Sequence, residues 1–211
     1  MEIETLPASD EAAPPAQKGR PRSFCVDEAL AAALRVFWAK GYEGASLTDL
    51  TEAMGITRPS LYAAFGNKEA LFRKALDLYE REKLAYMQSA LEAPTAREVA
   101  ERLLRGALAL QSGSGDPRGC LGVIASVACS EQAESIRDEV VARRASSQAA
   151  LVRRFERAQM EGDLPAALEP GGLARYLNAV IQGMAVQAGA GASCAELGHL
   201  VETTLAIWPS R

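Results

Sequence analysis

Residues 45–71 read ASLTDLTEAMGITRPSLYAAFGNKEAL, and their punctuation decides the fold. Ser46 precedes Leu47, Leu50 and Met54, which fall on one face of a helix. Asp49, three residues after Ser46, makes a capping-box pattern with Asp in place of the usual Glu or Gln. Gly55 ends that helix, and Ile56 puts an apolar side chain into the turn. Thr57 then caps a second helix, with Pro59 in its first turn, where a missing N–H costs nothing. Leu61 and Phe65 lie one turn apart and are expected in a core; Gly66 and Asn67 break the helix. Two short helices joined by a tight turn, the second capped at its entry, form a helix-turn-helix. In that arrangement the second helix lies in the major groove of DNA.

The rest of the chain extends this pattern. Upstream, Leu30, Leu34 and Phe37 predict a helix over 27–40, closed by Gly41. Downstream, Leu71, Ala75, Leu78 and Leu84 or Ala85 predict one long helix over 68–91. Beyond Pro94, helices are expected at 95–111, 118–129, 135–161, 170–188 and 195–208, separated by Gly/Pro breaks. No stretch alternates apolar and polar residues as a strand would, so the fold class is all-α. Residues 1–17, rich in Pro, Ala, Ser and acid, read as a disordered tail, and 18–22 (KGRPR) as a basic arm.

Charge is unevenly placed along the 211 residues, whose net charge is −4. Residues 17–75 hold nine Lys/Arg against six Asp/Glu, whereas 76–211 hold fourteen against seventeen. A mildly basic head on an acidic body fits a DNA-reading module joined to a domain with another task. The four cysteines, Cys25, Cys120, Cys129 and Cys194, form no C-x-x-C pair, and His199 is the one histidine. No metal site, no cofactor and no disulfide framework is therefore expected, and the compartment is expected to be reducing and cytoplasmic. No Ser/His/Asp order, phosphate-cradling glycine loop or carboxylate pair points to an enzyme. Residues 176–195 carry no charge over a length that spans a bilayer, but Asn178, Gln182 and Gln187 make a buried helix the better reading than a membrane span.

Gly41-Tyr42, Leu47-Thr48-Asp49-Leu50 and the run from Gly55 to Leu71, with its Leu-Tyr-x-x-Phe and Lys-Glu-x-Leu elements, resemble the DNA-binding domain of the TetR (TetR/AcrR) family of transcriptional regulators. The resemblance covers nearly the whole of 24–71. It implies an all-α homodimer with a three-helix helix-turn-helix head on a larger helical ligand-sensing and dimerisation domain. The implied division is tail and arm over 1–22, DNA-binding domain over 23–69 and regulatory domain over 70–211. It also implies repression of transcription, relieved when a small-molecule effector enters the body, and a near-palindromic double-stranded operator as partner. The segment from Gly119-Cys120-Leu121 to Glu131, followed by a long polar helix, resembles one subgroup of the family.

Carried over residue by residue, the DNA-contacting positions are Thr48, Thr57, Arg58, Pro59, Ser60, Tyr62 and Lys68. Thr48 and Thr57 would donate to phosphates; Arg58 would pair with a guanine edge; Pro59 would touch a thymine methyl; Tyr62 and Lys68 would clamp phosphates. Ala63 and Ala64 stand where many relatives carry larger side chains, which leaves specificity to Arg58, Ser60 and indirect readout. Arg20 and Arg22 fit a minor-groove arm and equally a solvated charged tail. Arg35, Lys40 and Arg73 are read as solvated.

In the body, the effector cavity is expected between the long helix after the head and the later helices. Met87, Leu103, Cys120, Ile124, Phe155 and Tyr176 are its main lining residues, with Tyr86, Leu110, Met160 and Met184 as further candidates; each also fits ordinary core. Few charges fall among them, which points to an apolar or weakly polar ligand. An alternative is a thiol-based redox or electrophile sensor using Cys120, activated by Arg118; a buried inert thiol is the competing reading. The dimer is expected to form through helices 170–188 and 195–208. Leu173, Leu177, Val180 and Met184 line one apolar face, and Leu197, Val201, Leu205 and Trp208 the other.

Overall fold

The computed structural model describes residues 24–113, 115–127 and 133–209; Arg20, Arg22, Cys129, the tail and the basic arm lie outside them. Among the described residues there are ten helices and no strand: α1 Val26–Gly44, α2 Leu47–Met54, α3 Arg58–Phe65, α4 Lys68–Lys83, α5 Ala85–Leu91, α6 Ala96–Ser112, α7 Leu121–Val127, α8 Glu134–Met160, α9 Pro170–Gly189 and α10 Cys194–Ala206. No helix among them is long and apolar enough to cross a membrane.

Two apolar clusters organise the chain. The first joins α1–α4 around Phe37, Trp38, Leu50, Leu61, Leu71, Phe72 and Tyr79, and continues into Leu121 of α7 and Ile136 and Val140 of α8. Its aromatic rings meet edge to face, Phe37 on Phe72 at 5.1 Å and Trp38 on Tyr79 at 4.8 Å between centroids, the arrangement ring quadrupoles favour. The second cluster joins α5, α6, α8, α9 and α10 around Val99, Leu103, Leu104, Phe155, Leu177, Met184, Val201 and Trp208. α4 belongs to the first cluster, packing chiefly on α1.

Three expected elements differ. The helix expected over 68–91 is two helices, broken at Leu84 (φ −107°, ψ 7°). Leu84 N–H still reaches Glu80 O, and Met87 N–H turns back to Leu84 O, so the chain bends without abandoning its hydrogen bonds. The bend lays α5 along α6, with the Tyr86 ring against the bare backbone of Gly106. The helix expected from 118 starts at Leu121, since Gly119 takes φ +98°, outside helical space. α1 continues past 40 only across a kink: Gly41 sits at φ 72°, ψ 176°, a region open essentially to glycine alone. α9 and α10 also pack apolar faces inside the chain. Leu173, Leu177, Met184, Leu197, Val201, Leu205 and Trp208 are buried within the one chain, because α6 and α8 pack on that side.

Candidate nucleic-acid interface and ligand cavity

The helix-turn-helix is built by its caps. Ser46 Oγ accepts from Asp49 N–H at 3.0 Å, and Asp49 Oδ2 accepts from Ser46 N–H at 2.9 Å, so the box closes with Asp in the Glu position. The other oxygen of Asp49 takes Lys40 Nζ at 2.6 Å, which ties α2 to the end of α1. Those bonds, from Lys40 first and then Ser46, hold the Asp49 carboxyl well below the usual carboxylate range. Lys40 is thus an internal tie. Arg73, also read as solvated, is bound by Glu69 and Glu139.

Thr57 caps α3, its Oγ1 accepting from Ser60 N–H and lying 3.0 Å from Ser60 Oγ. Arg58 and Pro59 are exposed in the first turn, and Arg58 Nη2 donates to Thr48 Oγ1 at 3.0 Å. That bond crosses from α3 to the first turn of α2 and brings two of the expected DNA contacts together. Tyr62, one turn beyond Arg58, is 48% exposed, while Leu61 and Phe65 on the opposite side are buried. Lys68 is partly buried, with its Nζ 4.6 Å from the Tyr42 ring centroid; burial lowers its pKa, opposed by the charge of Glu43. Its ammonium therefore lies over an aromatic face at the start of α4, whose entry Asn67 caps through Ala70 N–H at 2.7 Å. The surface so formed offers hydroxyls, one guanidinium and an exposed phenol on a capped helix end, the groups that hold phosphates and base edges.

In the body a cavity of about 320 Å³ opens between α4, α5, α6, α7, α8 and α9. Of the expected lining residues, Met87 and Cys120 are on its wall, with Tyr86, Leu110 and Met184. Leu103, Ile124, Phe155 and Tyr176 are not. Leu103 and Phe155 are buried in the second apolar cluster, Ile124 packs in the first, beside Gly41, and Tyr176 is on the outer face of α9. Met160 is also at the surface. Sequence reasoning did not place Tyr79, Gln148, Asn178 and Gln182, all of which line the wall. The amides that argued against a membrane span, Asn178 and Gln182, are cavity residues; that was the available signal.

The cavity touches the head through α4, whose Tyr79 ring meets Trp38 of α1, and through one loop. Gln111 of α6 holds Gly119 from both sides, donating to Gly119 O at 3.2 Å and accepting Gly119 N–H at 2.8 Å. The same carbonyl accepts the indole N–H of Trp38 in α1 at 3.3 Å. Cys120, the next residue, lines the cavity, and a side chain at Gly41 would come within 3.2 Å of Ile124. Arg118, the cation expected to activate Cys120, has its Nη2 4.0 Å from the sulfur of Cys194. Among the described residues no group of three or more His, Cys, Asp or Glu is placed to hold a metal ion.

The model of the bacterial regulatory proteins of the tetR family matches residues 29–75, and that of the tetracyclin repressor-like C-terminal domain matches 100–203. The HTH-type transcriptional repressor ComR of Escherichia coli K12 is 35% identical over 195 residues, 91% of this chain and 92% of its own. The chain belongs to the TetR family. A cysteine variant of the TetR family regulator CifR, solved with 26-base-pair operator DNA, is 43% identical with a TM-score of 0.85, covering 90% of this chain and all of that one. A putative TetR regulator from Rhodococcus sp. RHA1 is 40% identical with a TM-score of 0.62, over 87% of this chain and 98% of its own. As a member of the TetR family, this protein is a DNA-binding transcriptional regulator, not an enzyme, and forms homodimers.

Proposed function

We propose that this TetR family member is a repressor, working in the cytoplasm on the chromosome, whose homodimer grips a near-palindromic operator and releases it when a small molecule fills the cavity. The observation that carries the reading is the capped α3, with Arg58 tied to Thr48 on an exposed face. The CifR relative solved on operator DNA supports it. The DNA-binding set is Thr48, Thr57, Arg58, Pro59, Ser60, Tyr62 and Lys68, joined by Arg20 and Arg22 of the arm. Two heads must meet successive major grooves about 34–36 Å apart. The outer face of α9 supplies a surface for that pairing: Tyr176, Ala179, Gly183 and Val186 recur at helical spacing, with Tyr176, Ala179 and Val186 exposed. Release works through Gly119. A molecule that displaces Cys120 moves the carbonyl on which Trp38 hangs, and with it α1 and the spacing of the heads. A differential of only about 1.4 kcal/mol between the two states gives a tenfold change in operator affinity.

Footprinting on the DNA upstream of the regulator's own gene tests the reading. The wild type protects a near-palindrome, and Arg58→Ala loses about 1–3 kcal/mol of discrimination at one base pair of each half-site, with unchanged thermal stability. Protection that is the same in both proteins would remove Arg58 from base readout. Absence of any protected site there and in a genome-wide selection would overturn the reading.

A further inference from the structure

Two residues of the cavity wall each carry a buried polar atom without a hydrogen-bond partner. Tyr79 is fully buried, and its hydroxyl has no hydrogen-bond partner; the Cys120 thiol and Leu121 backbone stand beside it without completing a bond of ordinary geometry. Gln148 spends its Oε1 on Asn178 Nδ2, which leaves its own Nε2 buried and unpartnered. Both residues line the cavity. Buried donors without acceptors are rare because each forfeits its hydration.

Two of the charges on the same wall pair with each other. Arg143 binds Asp77 at 2.7 Å, Glu80 at 2.8 Å and Glu139 at 2.6 Å. Glu80 is thereby neutralised, and Arg144 has an interaction of its own. Among the described lining residues these are the charged ones, and the Glu80–Arg143 pair leaves neither of its members as a free counter-charge for a ligand. The remainder of the wall is mostly Leu, Met, Ala, Val and Ile.

We infer that the cavity takes an uncharged, largely apolar molecule bearing a hydrogen-bond-accepting oxygen, to which the Tyr79 hydroxyl and the Gln148 amide donate. The inference rests on the effector reading above and narrows its chemistry. Burial holds the Tyr79 phenol far above its usual range, so it remains an O–H donor throughout the physiological pH range.

The test is calorimetric titration of the full chain with four probes of similar length: 2-octanone; 2-methyl-1-octene, in which a methylene replaces the carbonyl oxygen; octanoate; and octylammonium. The ketone is expected to bind about tenfold more tightly than the alkene, and both ions more weakly than the ketone. Tyr79→Phe keeps the ring and the alkene affinity and erases most of the ketone's advantage; Gln148→Met, checked for an unchanged melting temperature, does the same if the Phe variant fails to fold. An alkene that binds as well as the ketone, an ion that binds best, or a ketone preference that survives both substitutions overturns the inference and leaves the effector reading standing. Binding of none of the four overturns the inference and the ligand cavity together.

Discussion

Gly106→Ala is expected to destabilise this protein by about 2 kcal/mol, although alanine is the better helix former by roughly 1 kcal/mol. An added Cβ at Gly106 would stand 2.1 Å from Cδ2 and 2.5 Å from Cε2 of Tyr86, inside the distance that real carbon contacts reach. The ring cannot yield by a small rotation, because its Cγ is also only 2.7 Å away. Tyr86 must leave, which strips α5 of its seat on α6 and removes one wall of the cavity. Overpacking of this kind costs about 1–3 kcal/mol, which exceeds the propensity gain. The sign should reverse in a Tyr86→Leu background, where the same alanine has room and its propensity shows as a gain of up to about 1 kcal/mol. Urea unfolding of the four proteins in the cycle checks this. A Gly106→Ala single variant as stable as the wild type would show that the ring does not lie on that backbone.

Tyr86 also shows where the sequence stops being legible. The head could be read because its signals are local: Ser46 with Asp49, Thr57 with Pro59, and the glycine at 55 each specify a backbone event within a few residues. The break at Leu84 has no such mark. Leu84 carries no proline or glycine signal, and the apolar period runs through it; what bends the chain is a ring finding a gap twenty residues away at Gly106. Cavity walls fail for the same reason. Leu103 and Met87 are equally apolar and both pack in or against the second cluster, yet only Met87 also reaches the void, a difference of helix rotation that composition does not record. The polar wall was more readable than it looked, since Asn178 and Gln182 interrupt an uncharged stretch for a reason. The apolar stripes named on α9 and α10 lie on the side that α6 and α8 cover within the chain, so a stripe alone does not say which neighbour it meets.

Arg154→Met is expected to have the other large effect, a loss of about 3 kcal/mol, with Arg154→Lys recovering little of it. Arg154 is 5% exposed and makes no ion pair among the described residues. Instead its Nε donates to Leu91 O at 3.1 Å, and its Nη2 to Ala93 O at 2.7 Å and Pro94 O at 3.0 Å. Those carbonyls are the unsatisfied end of α5 and the loop that enters α6, and the negative end of a helix favours a cation there. Burial lowers the Arg154 pKa, the neighbouring charge of Arg157 adding to it, so the group carries a desolvation penalty that methionine would relieve. Against that relief stand three carbonyls, one fully buried bond among them, left without donors at roughly 1–3 kcal/mol each. The balance favours arginine. Lysine offers one compact ammonium where a planar fork spans three oxygens from two sides, so it satisfies one of them at best. The loss should also be local before it is global: hydrogen exchange is expected to accelerate first through 91–96, where α5 hands over to α6, while the amides of α2 and α3 keep their protection. A methionine variant within about 1 kcal/mol of the wild type, or faster exchange in the head instead, would show that the α5–α6 connection is held by packing alone.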